Sequence, residues 1–294
     1  MRIQSKSALV TGLVILTLAA APRLPAEEKI PDDCKTGGFA IGCISYTFTR
    51  FTLFEAIEKT AQSGSKVIEL GSMTSLSKEE PGVPFDFHAP PEVIQKVKAK
   101  LAQCHLKAVT YAVIPFPAEE ADGCKLFEFA KTMGMRAIVT ESPELVDRIE
   151  KFAKEFDIMV GFHDHPRNPD DPSYKMWDPN YVLSLVKDRD WRLGCCADTG
   201  HWVRSGLKPP ECLRILKGRI VCGHLKDLDR VGHGAHDVPY GTGVADIPGI
   251  LDELKAQDFQ GTLSIEYEYH WDNSLPEVAQ CIGFVRGYGA AKGW

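Results

Sequence analysis

From residue 39 onward, short apolar runs alternate with longer stretches of helical periodicity. Eight runs read as strands: Phe39–Ser45, Lys66–Leu70, Leu106–Ala112, Arg136–Thr140, Ile158–His163, Arg192–Ala197, Arg219–His224 and Thr262–Tyr267. Each is apolar or β-branched and bounded by Gly, Pro, Asp or Lys. The stretches between them predict helices over Leu53–Gln62, Pro91–Cys104, Ala118–Thr132, Glu144–Glu155, Pro179–Val186, Pro209–Lys217, Ile247–Ala256 and Leu275–Arg286. Thr52 is placed to cap the first, and Pro91 suits the first turn of the second. Strict strand–helix alternation implies a parallel sheet. Eight such units in about 255 residues fit a closed (β/α)8 barrel of the α/β class, a TIM barrel. An open doubly wound sheet is the alternative. It would place a glycine-rich phosphate loop after the first strand, where this chain has Ser45-Tyr46-Thr47-Phe48.

The first thirty residues break this rhythm. Arg2 and Lys6 precede an uninterrupted run of apolar and small residues from Ala8 to Ala21, with small-residue cleavage options after Ala21 or Ala26. That is the pattern of a secretory signal peptide. The run is 14 residues, short of the ~20 needed to span a bilayer. Residues 1–26 are therefore expected to be removed, leaving 27–294 as one barrel domain with no stable membrane span. The destination is expected to be periplasmic or extracellular. Loss of Arg2, Lys6 and Arg23, and of no acid, takes the net charge from −6 to −9. An acidic chain argues against a nucleic-acid partner. Apolar content of 44% and charged content of 25% exclude disorder, collagen and coiled coil as the main architecture. The nine cysteines contain no CxxC pair, which argues against a zinc knuckle. Their odd number leaves at least one thiol free.

Candidate chemistry collects at the C-terminal ends of the later strands, the catalytic face of such a barrel. Strand 4 ends at Glu141, strand 5 in His163-Asp164-His165, strand 6 in Asp198-Thr199-Gly200-His201 and strand 7 in His224-Leu225-Lys226-Asp227. Strand 8 carries Ser264, Glu266 and Glu268 in alternation, hence on one face. An inward carboxylate in a barrel is costly unless it is paired or binds a metal. Asp198, His224 and Glu266 lie on three adjacent strands and converge. Imidazole with carboxylate suits one divalent cation: Mn²⁺, Zn²⁺, Co²⁺, Mg²⁺ or Fe²⁺. The bland alternatives are structural histidines, a helix-capping Asp198 and a solvated Lys226-Asp227 loop. Residues 231–244, with His233 and His236, read either as a surface loop or as a lid. Tyr46, Trp177, Trp202 and Trp271 are candidates for stacking on a ligand ring.

At these residues the chain resembles the sugar phosphate isomerase/epimerase superfamily with the xylose-isomerase-like barrel. The resemblance rests on Val160-Gly161-Phe162-His163-Asp164-His165-Pro166, Asp198-Thr199-Gly200-His201 with Arg204-Ser205-Gly206, His224-Leu225-Lys226-Asp227, Gly241-Thr242-Gly243 and Leu263-Ser264-Ile265-Glu266-Tyr267-Glu268. It runs from about residue 38 to 286 and is specific as an ordered set. It implies a cation held by Glu, Asp, His and Glu from strands 5 to 8. The last three fall on Asp198, His224 and Glu266. Where relatives carry a strand-5 Glu, this chain has His163 and His165, so one of these replaces it or Glu141 supplies a carboxylate; a histidine is favoured. The resemblance makes His201 a substrate-binding residue and places Lys226 against a substrate oxygen.

The implied function is metal-dependent isomerisation or epimerisation of a sugar or keto-sugar through an enediolate. Glu266 would be ligand and base, and Lys226 would stabilise oxyanion charge. Export and acidity favour a free or oxidised sugar over a phosphorylated one. A 3-keto-glycoside lyase or hydratase would use the same site, and a non-catalytic carbohydrate-binding barrel is the rival from another class. The expected partner is a small-molecule carbohydrate, with a homo-oligomer as the assembly to test for.

Overall fold

In the computed structural model, which describes residues 30–294, all eight apolar runs are strands. The signal peptide expected over 1–26 lies outside the described residues. The strands are β1 Phe39–Ile44, β2 Val67–Leu70, β3 Lys107–Ile114, β4 Ala137–Thr140, β5 Met159–His163, β6 Leu193–Asp198, β7 Ile220–Leu225 and β8 Thr262–Ile265. Each pairs in parallel with its sequence neighbours, and β1 pairs with both β2 and β8, closing the barrel. Nearly every strand residue is buried, because helices cover the outer face and side chains fill the interior. That double burial is why the strands read as continuous apolar runs rather than as alternating ones.

Nine α-helices are present among the described residues: α1 Leu53–Gln62, α2 Pro91–Gln103, α3 Glu120–Thr132, α4 Val146–Phe156, α5 Pro179–Val186, α6 Thr199–Arg204, α7 Pro209–Ile215, α8 Ile247–Ala256 and α9 Leu275–Lys292. Thr52 caps α1 in a capping box: its Oγ1 accepts from Glu55 N at 3.3 Å while Glu55 Oε2 accepts from Thr52 N at 3.1 Å. Helix α6 goes beyond the eight expected. It forms inside what reads as a strand-end motif because Asp198 accepts from His201 N at 2.8 Å and starts a helical turn. The other departure is at β8, which ends at Ile265 and leaves Glu266 and Glu268 beyond the ladder. No helix among the described residues is long and apolar enough to cross a membrane.

The barrel floor is built from small residues. A Cβ on Gly161 of β5 would lie 3.0 Å from Cys196 Cβ, 3.1 Å from Cys196 N and 3.3 Å from Cys222 Sγ. Cys196 and Cys222 face each other across β6 and β7 and are fully buried. All nine cysteines are free thiols, six of them buried. They act as compact apolar side chains that leave room for the layer of polar residues above. A Gly161→Val substitution should overpack this layer and destabilise the fold by about 1–3 kcal/mol. A denaturant midpoint equal to that of the parent chain would refute the packing argument.

Candidate metal centre

His163 ends β5, Asp198 ends β6, His224 lies on β7 and Glu266 follows β8, all buried. One ligand atom from each lies within 4.8 Å of every other. The orientation of each side chain has a local cause. Asp198 spends Oδ1 on capping α6, which turns Oδ2 toward the centre; that oxygen makes no hydrogen bond, although Lys226 Nζ lies 3.0 Å away. His163 Nδ1 lies 2.6 Å from Glu141 Oε1, and His224 Nε2 lies 2.6 Å from Glu69 Oε1. Carboxylates accept, so each ring donates its outer N–H and turns its other nitrogen inward. His163 Nε2 and His224 Nδ1 then face each other at 3.0 Å. Two lone pairs repel at that distance unless a cation or a proton sits between them. Glu266 Oε2 joins them 3.2 Å from His224 Nδ1. Two imidazoles and two carboxylates from adjacent strands, each imidazole backed by a carboxylate, form a donor set that fits a divalent ion.

The second group of predicted residues surrounds this one. His165 is half-exposed and lies against Glu141 Oε1, apart from the inner cluster. Glu141 thus joins His163 to His165 and is held down to about 2: burial would raise it, but hydrogen bonds from the two histidines outweigh that. Lys226 is fully buried. Its Nζ lies 3.0 Å from Asp198 Oδ2, 2.7 Å from Glu266 Oε2 and 2.8 Å from Glu268 Oε2. Burial would lower the Lys226 ammonium, but the carboxylates of Asp198, Glu266 and Glu268 outweigh it and keep it charged. Gly200 makes room for this lysine, since a Cβ there would meet Lys226 Cβ and Cδ at 2.7 Å. His201 sits in the first turn of α6 with Nε2 3.6 Å from Asp198 Oδ2. Arg204 Nη1 lies 3.2 Å from His201 Nδ1 and can only donate, so the ring proton belongs on Nε2. Burial holds His201 well below the usual imidazole range.

A cavity of about 540 Å³ opens over the cluster. Its polar side is His163, His165, His201, Glu141, Glu266 and Glu268; its other side is apolar, from Ile44 and Ala112 to Pro115. Residues 231–244 do not line it. They are pinned beside it: the Asp227 carboxylate accepts from the backbone N–H of Leu228, Gly241, Gly243 and Ala245. The Lys226-Asp227 pair is therefore buried structure rather than solvated loop. Trp202 is core, and Trp177 donates to Tyr174 O, while Tyr46 lines the cavity.

The residue that sequence reasoning missed is Glu69 on β2. It is wholly buried and also accepts from Thr110 Oγ1 at 2.5 Å and Ser264 Oγ at 3.0 Å. A lone carboxylate inside the apolar run Val67–Leu70 carried the same signal that singled out Glu266.

Residues 57–287 match the family described as xylose isomerase-like TIM barrel. The chain belongs to that family. Among solved structures, an uncharacterised protein from Parabacteroides distasonis shares 27% identity at a TM-score of 0.68, over 85% of this chain and 99% of that one. A D-tagatose 3-epimerase-like protein shares 17% identity at 0.65, over 85% and 97%. The IolI protein, solved with a zinc atom bound, shares 15% identity at 0.62, over 86% and 99%. The last two establish likeness of fold. No curated protein matches the sequence. Within this xylose isomerase-like barrel, the four-residue cluster occupies the C-terminal face, where the fold places its chemistry.

Two outcomes test the centre. Glu69→Gln should weaken binding of added Mn²⁺ or Zn²⁺ roughly 10–100-fold, because it removes the carboxylate that orients His224; unchanged affinity in a calorimetric titration would exclude that role. The second is a pH dependence. Burial pulls His163 down, but Asp198 and Glu141 outweigh it and raise it from 6.5 to about 9 in the metal-free site. A raised folded-state value stabilises below the unfolded one and is lost as pH climbs through the folded one. Melting of the chelator-treated chain should therefore occur at lower temperature as pH rises from 6.5 to 9, while the increment from added metal grows. A metal-free melting temperature that holds steady or climbs over that window would contradict it.

Proposed function

We propose that the chain is a divalent-metal-dependent isomerase or epimerase of a sugar or keto-sugar. The observation that carries this reading is the convergence of His163 Nε2, Asp198 Oδ2, His224 Nδ1 and Glu266 Oε2 beneath an open cavity that His163 and Glu266 line. A bound cation there would supply Lewis-acid polarisation of adjacent hydroxyl and carbonyl oxygens. The side chains do the rest. Glu141 at the end of β4 and Glu268 beyond β8 stand on strands opposite each other in an eight-strand barrel. Carboxylates on two sides are what proton removal from one face of a carbon and return to the other require. Lys226 holds Glu266 ionised and pairs with Glu268, and its charge stabilises an oxyanion developing above them. His201, fixed as an Nε2–H donor, binds a substrate oxygen.

The cavity also bears on the substrate. Among the described residues no Lys or Arg lines it, while three carboxylates do. A phosphorylated sugar would find no lysine or arginine in this lining to meet its charge, so the reading is for a free or oxidised sugar. The names of structural neighbours, such as the D-tagatose 3-epimerase-like protein, support the reaction class. The same proton abstraction leads to elimination when a leaving group sits one carbon further on, which keeps a keto-glycoside lyase or hydratase as the second reading.

Purified chain should carry one divalent ion, and Asp198→Ala or His224→Ala should lose it. With metal restored, the parent chain should exchange an α-proton of a keto-sugar for deuterium in D₂O, followed by NMR. Full metal content in both variants would sink the site. Metal without exchange on any keto-sugar of a broad panel would reduce the protein to a binder, and the products distinguish an epimer from an eliminated sugar.

A further inference from the structure

A second cavity, of about 590 Å³, lies beside the first between the loops that follow β1 and β8. Tyr46 is its hinge with the catalytic pocket: it lines the first cavity, and its ring meets Trp271 of the second nearly edge-on, with centroids 5.8 Å apart. Tyr46 is 44% exposed and Tyr269, in the second cavity, 38%. Large aromatic surface left to solvent at the mouth of a polar pocket suits the apolar face of a ring. The rest of the wall is hydrogen-bonding rather than charged. Arg50 Nη1 is neutralised by Asp272 at 2.9 and 3.1 Å, which also ties the two loops together. Asn273 offers donor and acceptor. Glu277 Oε1 lies 2.8 Å from His270 Nδ1, while its buried Oε2 has no hydrogen-bond partner.

We infer that this rim cavity is a second sugar subsite, so that the chain takes a disaccharide, with one ring over the His163–Asp198–His224–Glu266 cluster and the next against Tyr46 and Trp271. An aromatic platform next to the Asn273 amide and a paired guanidinium matches a neutral ring with hydroxyls at its edge. It does not match a phosphate, which would need a free cation, nor a wholly apolar group, which would leave the Asn273 amide facing it without a partner. The inference rests on the proposed reading for the first ring.

The test uses the full chain loaded with metal. Saturation-transfer NMR and tryptophan fluorescence titrations compare glucose and galactose with cellobiose, maltose and lactose, and with phenyl glucoside. One disaccharide should bind at least tenfold more tightly than either monosaccharide. Trp271→Ala should collapse that ratio toward one, while Trp191→Ala, an exposed tryptophan on the far side of β6, should leave it intact. Disaccharides that bind no better than monosaccharides, or a ratio that survives Trp271→Ala, overturn the subsite. A phenyl glucoside that gains as much as the best disaccharide overturns its assignment to a sugar. Because deuterium exchange on a single-ring keto-sugar does not involve Trp271, failure here with exchange intact removes the subsite and leaves the proposed reaction standing.

Discussion

Two buried imidazole nitrogens face each other across 3.0 Å, and each ring is locked there by a carboxylate behind it. Neither ring can turn away without breaking a buried hydrogen bond. Two more oxygens, from Asp198 and Glu266, join them, so that one ligand atom of each of the four residues lies within 4.8 Å of every other. Buried negative charge of this density is tolerated only with compensation. Lys226 provides part of it from below. Protons on His163 and His224, or a cation in the centre, can meet the rest, and much of the polar interior orients these groups.

The scaffold reaches across the barrel. Glu69 comes from β2, three strands from His224 by the shorter way round the barrel, and is itself held by Thr110 of β3 and Ser264 of β8. Glu141 comes from β4 and serves His163 of β5. The orienting carboxylates thus come from the first half of the chain, and the inner cluster from the second. Closure of the barrel between β8 and β1 brings these halves together. The small floor beneath, Gly161 with Cys196 and Cys222, sets how deep the cluster can sit.

Above the cluster the two sides of the cavity differ in kind. The histidines and carboxylates of β4 to β8 face the apolar edge of β1 and β3. A ligand held there has one polar edge and one apolar face, the description of a sugar ring. The aromatic rim at Tyr46 and Trp271 extends the same description outward. The loop after β7 takes no part, because Asp227 ties it down through four backbone N–H groups.

The strands and their order were legible in the sequence because each is buried on both sides and so writes an unbroken apolar run. Asp198, His224 and Glu266 stood out because polar residues end those runs at intervals matching successive strands. Glu69 did not stand out. It lies within a run, and its partners His224, Thr110 and Ser264 are 155, 41 and 195 residues away. The separation of His163 from His165 was equally hidden: both share a strand face by parity, but β5 ends at His163, so only one remains in the interior. Helix α6 arose from a capping bond to Asp198 Oδ1, and only the geometry shows that this leaves Oδ2 of the same carboxylate turned toward the cluster. Local chemistry and periodicity, then, determined the barrel and which residue types reach its catalytic face. Which of them meet, which nitrogen points inward and what stands behind it were decided by barrel closure, since those contacts join residues that no local pattern connects.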